Sequence, residues 1–267
     1  MADNFLATAR RAAKSAGQFI IDNLGSVSKK DISVKQASDF VTRVDRDSEQ
    51  LILNTIREIY PGHYFLTEES VKDPETDEYR WIIDPLDGTT NFIHGYPVFS
   101  VSIALQYKQE TVLGVILDPC RNELYHAEKG KGAFLNDSPI KVSHISGLSE
   151  SLIATGFPFR QKNLIDKYLE LFKNIFNKVS DIRRAGSAAL DLAHLAAGRC
   201  DGFFEIGLSP WDIAAGSLII EQAGGVVSDF AGGSEYLLTG NIIAGSPTVH
   251  NVLAQEVKQV FRDILPK

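Results

Sequence analysis

Two cysteines in 267 residues, Cys120 and Cys200, cannot supply a disulfide framework or a thiolate zinc cluster. Both read as small buried apolar residues of a protein kept in a reducing compartment. No uninterrupted apolar stretch stands near the start either. The first twenty residues, MADNFLATARRAAKSAGQFI, carry charges throughout, which excludes a conventional signal peptide or a membrane-spanning helix. A cytoplasmic, soluble protein without a membrane partner is expected. Positive charge is not in excess: a formal net charge of −7 excludes a broad basic face for sequence-independent nucleic-acid binding. Small substrates or acid-rich metal sites fit that balance better. The six histidines show no paired or HExxH-like spacing, so a zinc hydrolase is not indicated, and His94 reads as a rim residue. No internal repeat, low-complexity tract or linker breaks the chain.

Apolar material is plentiful, at 44% of residues, and supports one compact domain over 1–267 with halves of about 1–145 and 146–267. Residues 3–23 place Phe5, Leu6, Ala9, Ala12, Ala13, Ala16, Phe19 and Ile20 at helical spacing. A second helix is expected over 45–59, ended by YPG, with a loop or short hairpin before it. From 63 to about 145, short β-branched and aromatic runs separated by turn residues predict a largely antiparallel sheet. After 150, strands and helices alternate. Helices are expected at 162–177, 187–197, 210–223 and 247–264, with strands in SLIATGF, near 181–184, and in DGFFEIG, GVVSDF and NIIAG. The helix after Ser209 is the best marked: Ser209 suits the N-cap, Pro210 the first position, Asp212 the third, and GG at 224–225 the end. The fold class is an α/β sandwich with mixed sheets.

The stretch WIIDPLDGTTNF at 81–92 holds the chemistry. Asp84 and Asp87 sit three residues apart where a strand-like run ends, with Pro85 and Gly88 shaping the backbone. Two crowded carboxylates repel each other unless both face water or a cation compensates them. A polar turn closed by Asx-type hydrogen bonds is the plain alternative. GTTN follows at once, and the N–H groups of Gly88 and Thr89 opening a helix would make an anion cradle. Glu68 and Glu69 in FLTEES offer further oxygen ligands, and Asp212 lies in the first turn of its helix, where helix capping would also explain it. Oxygen ligands without histidine or thiolate select a hard cation, Mg²⁺ before Ca²⁺ or Mn²⁺.

WIIDPLDGTTNFIHGYP together with WDIAAGSLIIEQAGG at 211–225 resembles the inositol monophosphatase family, over essentially the whole chain. GSAALDLAHLAAGRCDGFFEIGLSPWD is similar to its bacterial members in particular. The resemblance implies a five-layer αβαβα sandwich and Mg²⁺-dependent, Li⁺-sensitive hydrolysis of phosphomonoesters, with two or three ions per site. It implies Glu68, Asp84 and the Leu86 carbonyl at one ion, and Asp84, Asp87 and Asp212 at another. Gly88 and Thr89 would contact phosphate, while Asp45 with Thr89 and Glu68 would activate the attacking water. Lys35 and Asp39 would belong to a flap, and Asp87, Ala188, Glu205 and Asp212 would meet the substrate. The substrates it implies are myo-inositol monophosphate first, with fructose 1,6-bisphosphate and 3′-phosphoadenosine 5′-phosphate as alternatives; TGFPF at 155–159 departs from animal sequences beside the ring. It implies a homodimer. Bacterial members of this type also carry an association with ribosomal RNA transcription antitermination, hence with its factors or RNA polymerase, for which Arg183 and Arg184 could offer a surface unless they pair with Asp181 or Asp201. An Asp-nucleophile phosphatase with D-x-D-G-T is the rival class, but DPLDGT misses that spacing by one residue.

Overall fold

In the computed structural model, residues 4–26, 32–36, 39–145 and 147–263 are described, with the backbone alone for 32–36 and 39–40. The first helix, α1 (Phe5–Asp22), starts where the Asn4 side chain accepts from the Ala7 N–H and buries Ala9, Ala12, Ala13, Ala16 and Ile20. A hairpin of β1 (Ile32–Gln36) and β2 (Asp39–Thr42) runs directly into α2 (Arg43–Arg57). That helix begins two residues earlier than the sequence suggests. Thr42 and Asp45 form a reciprocal capping box, which fixes the start at Arg43.

Next come β3 (Tyr64–Thr67), β4 (Arg80–Asp87), the short α3 (Thr89–Ile93), β5 (Ser100–Tyr107), β6 (Glu110–Asp118), β7 (Glu123–Glu128), β8 (Ala133–Leu135) and β9 (Ser138–Ile140). Their strands form a seven-stranded sheet in sequence order, antiparallel except where β3 and β4 run parallel. Then β10 (Leu152–Thr155), α4 (Ile165–Phe176), β11 (Asp181–Arg183), α5 (Ala188–Ala196), β12 (Gly202–Glu205), α6 (Pro210–Gln222), β13 (Val226–Asp229), α7 (Tyr236–Thr239), β14 (Ile242–Gly245) and α8 (Pro247–Phe261) follow. The second sheet has the order β11-β10-β12-β14-β13. The sequence did not announce β9 or α7: neither offers more than four residues of pattern.

Three apolar clusters mark the layers. One joins α1 and α2 to the outer face of the large sheet through Ile20, Ile52, Trp81 and Val115. The central one seats α5 and α6 between the sheets through Leu192, Ile213 and Ile219. The third holds α4 and α8 on the far face of the small sheet through Tyr168, Phe204 and Leu253. The order is helix, sheet, helix, sheet, helix, a five-layer αβαβα sandwich. Helix α6 is buried on nearly every side, as a central layer requires. It lies so close to the large sheet that a Cβ on Gly114 would stand 2.6 Å from the Ala215 carbonyl oxygen.

Cys200 is buried as expected, but Cys120 is only half-buried, because it follows Asp118 in the turn that leaves β6. Arg183 pairs with Asp181 at 2.5 Å, whereas Asp201 pairs with neither arginine and accepts from the Leu152 N–H at 2.7 Å. Among the described residues no helix is long and apolar enough to cross a membrane.

Candidate metal and substrate site

Side chains alternate along a strand, so residues three apart should face opposite ways. Asp84 and Asp87 escape this because β4 bulges between them. Asp84 pairs with Ser102 and Asp87 with Ser100, so two residues of β4, Pro85 and Leu86, oppose Val101 alone. Ser100 and Ser102 are two apart on β5 and share a face, and the two aspartates therefore share it as well. Pro85 suits a bulge because it has no N–H to leave unpaired. The Asx-type alternative is also real in part: Asp84 Oδ1 accepts from the Leu86 N–H at 2.9 Å. Gly88 ends the turn at φ 95°, where a Cβ would lie 2.9 Å from the Val98 carbonyl oxygen.

Asp212 comes to this face from the other half of the chain. Carboxylate oxygens of Asp84, Asp87 and Asp212 lie within 4.8 Å of one another. Glu68, at the end of β3, hydrogen-bonds Asp84. Burial, then the charges of Glu68, Asp87 and Asp212, push Asp84 well above the usual carboxylate range. Burial and the Asp212 charge raise Asp87 to about 7, although Ser187 Oγ and the Ala189 N–H donate to it at 2.6 and 2.8 Å. Asp212 is raised by burial too, and Arg160 opposes this with a 3.1 Å ion pair. The capping role of Asp212 coexists with its place in the cluster, since its Oδ2 also accepts from the Ser209 N–H at 2.7 Å.

Asp118, Glu123 and His194 form a second such group. There the charges are already matched: Arg121 reaches Asp118 at 2.7 Å, and Arg199 grips both oxygens of Glu123, holding it near a pKa of about 2. Among the described residues the three crowded acids are met by an ion pair from Arg160 to Asp212, a poorer match of charge, and they are therefore the better candidate for a cation.

Helix α2 supports the site from below. The Thr89 hydroxyl donates to Asp45 Oδ1 at 2.8 Å and lies 3.1 Å from the Leu86 carbonyl oxygen. Asp45 is 1% exposed, and burial raises its pKa against the hydrogen bonds from Thr42 and Thr89. One turn further on, buried Glu49 accepts from the Glu69 N–H at 2.8 Å and from the Ser70 hydroxyl, which fixes the segment after Glu68. Sequence reasoning missed Glu49, and its position four residues beyond Asp45 on a buried face was the available signal.

A cavity of about 290 Å³ opens beside the acids, at the lower edge of the range of roughly 300–1,000 Å³ for small-molecule sites. Gly88, Thr89 and Ala188 line it, and so does Glu205 from the end of β12. Arg160 and Asp191 line it too and were not foreseen, although Asp191 sits inside the GSAALD segment. Lys35 and Asp39 have their backbones in the β1–β2 hairpin, and their side chains lie outside the described residues.

A family profile, that of the inositol monophosphatase family, matches residues 1–262. The chain belongs to that family. The Escherichia coli K12 protein named Nus factor SuhB is 48% identical over 258 residues, covering 96% of this chain and 97% of the relative. Among solved structures, the extragenic suppressor protein suhB of Bartonella henselae is 42% identical with a TM-score of 0.92, covering 96% of this chain and 99% of its own. Inositol monophosphatase from Anabaena is also 42% identical, with a TM-score of 0.85 and coverages of 96% and 95%. The donor set fits a hard divalent ion on its own chemistry: the cluster is all carboxylate oxygen, buried and mutually repelling.

Proposed function

We propose that this family member is a Mg²⁺-dependent phosphomonoesterase that hydrolyses myo-inositol monophosphate to inositol and phosphate. The observation that carries the reading is the bulge in β4, which turns Asp84 and Asp87 to one face, where Asp212 and Glu68 meet them beside the Thr89–Asp45 pair. Glu68, Asp84, Asp87, Asp212 and the Leu86 carbonyl would hold two or three Mg²⁺ per site. When bound, Mg²⁺ supplies Lewis acidity toward water and toward the departing ester oxygen.

The chain's own residues supply the rest. Thr89 Oγ orients the attacking water, and its proton passes through that hydroxyl toward Asp45 Oδ1, whose raised pKa suits it to receive a proton. Gly88 and Thr89 N–H groups bind the phosphoryl oxygens. Asp87, Ala188, Glu205 and Asp212 contact the alcohol half; as the water oxygen bonds to phosphorus the P–O ester bond breaks, and the departing ester oxygen takes a proton from solvent to leave as the alcohol. No phosphoenzyme forms. Both halves of the chain furnish walls of the cavity, so we propose that 1–267 acts as one domain, in a homodimer.

The test is phosphate release from inositol 1-phosphate, fructose 1,6-bisphosphate, 3′-phosphoadenosine 5′-phosphate and p-nitrophenyl phosphate, with and without Mg²⁺ and Li⁺. Asp87→Asn should lower turnover by on the order of 10² or more. Near-normal turnover at saturating Mg²⁺ would refute the role of Asp87. A covalent phosphoaspartate trapped from labelled substrate would move the protein to the rival class.

The name of the Escherichia coli relative, Nus factor SuhB, favours a second reading. Under it the chain is also a regulatory binding protein in ribosomal RNA transcription antitermination. Capture of transcription factors by an Asp87→Asn protein that circular dichroism shows to be folded supports that reading; absence of any such capture removes it.

A further inference from the structure

Among the described residues, two carboxyl groups that line the cavity make no side-chain hydrogen bond. Asp191, in the first turn of α5, is 4% exposed and Glu205 is 6% exposed. Both line the cavity, and neither side chain makes a hydrogen bond or salt bridge among the described residues. A buried polar group without a partner is costly, and a charged one more so. Here two such groups stand together: after burial, the Asp191 charge is the largest cause raising the Glu205 pKa well above its usual value. Asp191 is raised likewise by burial and by Asp87, while Arg184, also on the cavity wall, pulls the other way. Backbone presses directly on Glu205, since a Cβ on Gly156 would stand 2.0 Å from its Oε1. Only a residue without a side chain leaves room for that carboxyl.

A first-turn acid can simply serve its helix dipole. That role needs no burial. It leaves unexplained why Asp191 faces a cavity alongside another unpartnered acid. A carboxyl group accepts hydrogen bonds when ionised and also donates one when protonated, and hydroxyl groups, which both donate and accept, satisfy it in either state. Adjacent hydroxyls of a polyol are the neutral donors that two neighbouring acceptors fit, and a second phosphate at this end would be repelled.

Resting on the phosphatase reading above, we infer that Asp191 joins Glu205 as a paired acceptor for adjacent hydroxyls on the alcohol half of the substrate, making Asp191 a residue that selects polyol monophosphates over simple esters. Removing one hydrogen bond to a charged group should cost about tenfold in binding. Asp191→Ala should therefore raise KM for inositol 1-phosphate by about tenfold and leave kcat/KM for p-nitrophenyl phosphate within about twofold. Asp191→Asn should raise KM less, and should raise the melting temperature, because it removes charge from a crowded buried pair. A helix-dipole role predicts the reverse sign. Equal changes for both esters, no change for either, or a lower melting temperature for Asp191→Asn would overturn the inference.

Saturation-transfer NMR with myo-inositol reads the same contact without turnover, and the signal should weaken in Asp191→Ala. If the unmodified protein cleaves p-nitrophenyl phosphate with Mg²⁺ but the variants behave like it, the inference alone fails. If it cleaves neither ester, the phosphatase reading fails, and the NMR comparison decides the polyol contact by itself.

Discussion

The acid cluster should make the metal-free protein less stable as pH rises. Asp87 shows this best, with a folded-state pKa of about 7 against an ordinary 3.8. Between those values the native state keeps a proton that the unfolded state has released, so stability falls through this window and levels off above it. The gap, at 1.36 kcal/mol per pH unit, amounts to about 4 kcal/mol, or roughly 10 °C in melting temperature for a chain of this size. Buried His126 and His250 and half-buried His194 have lowered pKa values and act oppositely, adding stability as pH rises toward about 6.5. They cancel when the unmodified protein is compared with Asp87→Asn. Urea denaturation of both proteins in EDTA, from pH 5 to pH 9, should show the unmodified protein losing about 4 kcal/mol relative to the variant. Saturating Mg²⁺ should abolish most of that loss. Parallel profiles for the two proteins in EDTA would refute the claim that Asp87 is held by burial and by Asp212.

Other perturbations probe the supports. Thr89→Val removes the hydroxyl that reaches Asp45 and should lower kcat by about 10²-fold or more, which steady-state assays on p-nitrophenyl phosphate measure; an unchanged kcat rejects the relay. Gly88→Ala forces a side chain into a left-handed turn against the Val98 carbonyl, so stability should drop by about 1–3 kcal/mol, read by urea titration. Glu49→Ala frees the segment after Glu68 and should raise the Mg²⁺ dissociation constant about tenfold by calorimetry; equal affinity would show that Glu49 does not position the site.

Much of the fold was legible because its helices and strands have strong local signals. Ser209, Pro210 and Asp212 mark the start of α6, and the short β-branched and aromatic runs of β5 and β6 mark the large sheet. The motif acids could be named from their types and spacing, yet the reason they share a face could not. It depends on the register between β4 and β5, a long-range property that a single strand does not encode. The same holds for Glu49 and Asp191. Each is an ordinary helical acid in sequence and acquires its role only from what another element brings alongside it. Arg160 follows a segment already noted as unusual, but its ion pair with Asp212 joins elements fifty-two residues apart.

The bare contact between Gly114 and Ala215 sets a limit on how this site can change. Helix α6 carries Asp212, and it rests on the sheet that carries Asp84 and Asp87 backbone against backbone. At that point no side chain stands between them to be shortened. The gap between the two groups of acids therefore has a floor that core substitutions cannot lower, while any bulk added at position 114 would lift the whole helix and spread the acids apart. Accommodating an ion of another size would require tilting a buried rod, which the central apolar cluster that seats it resists.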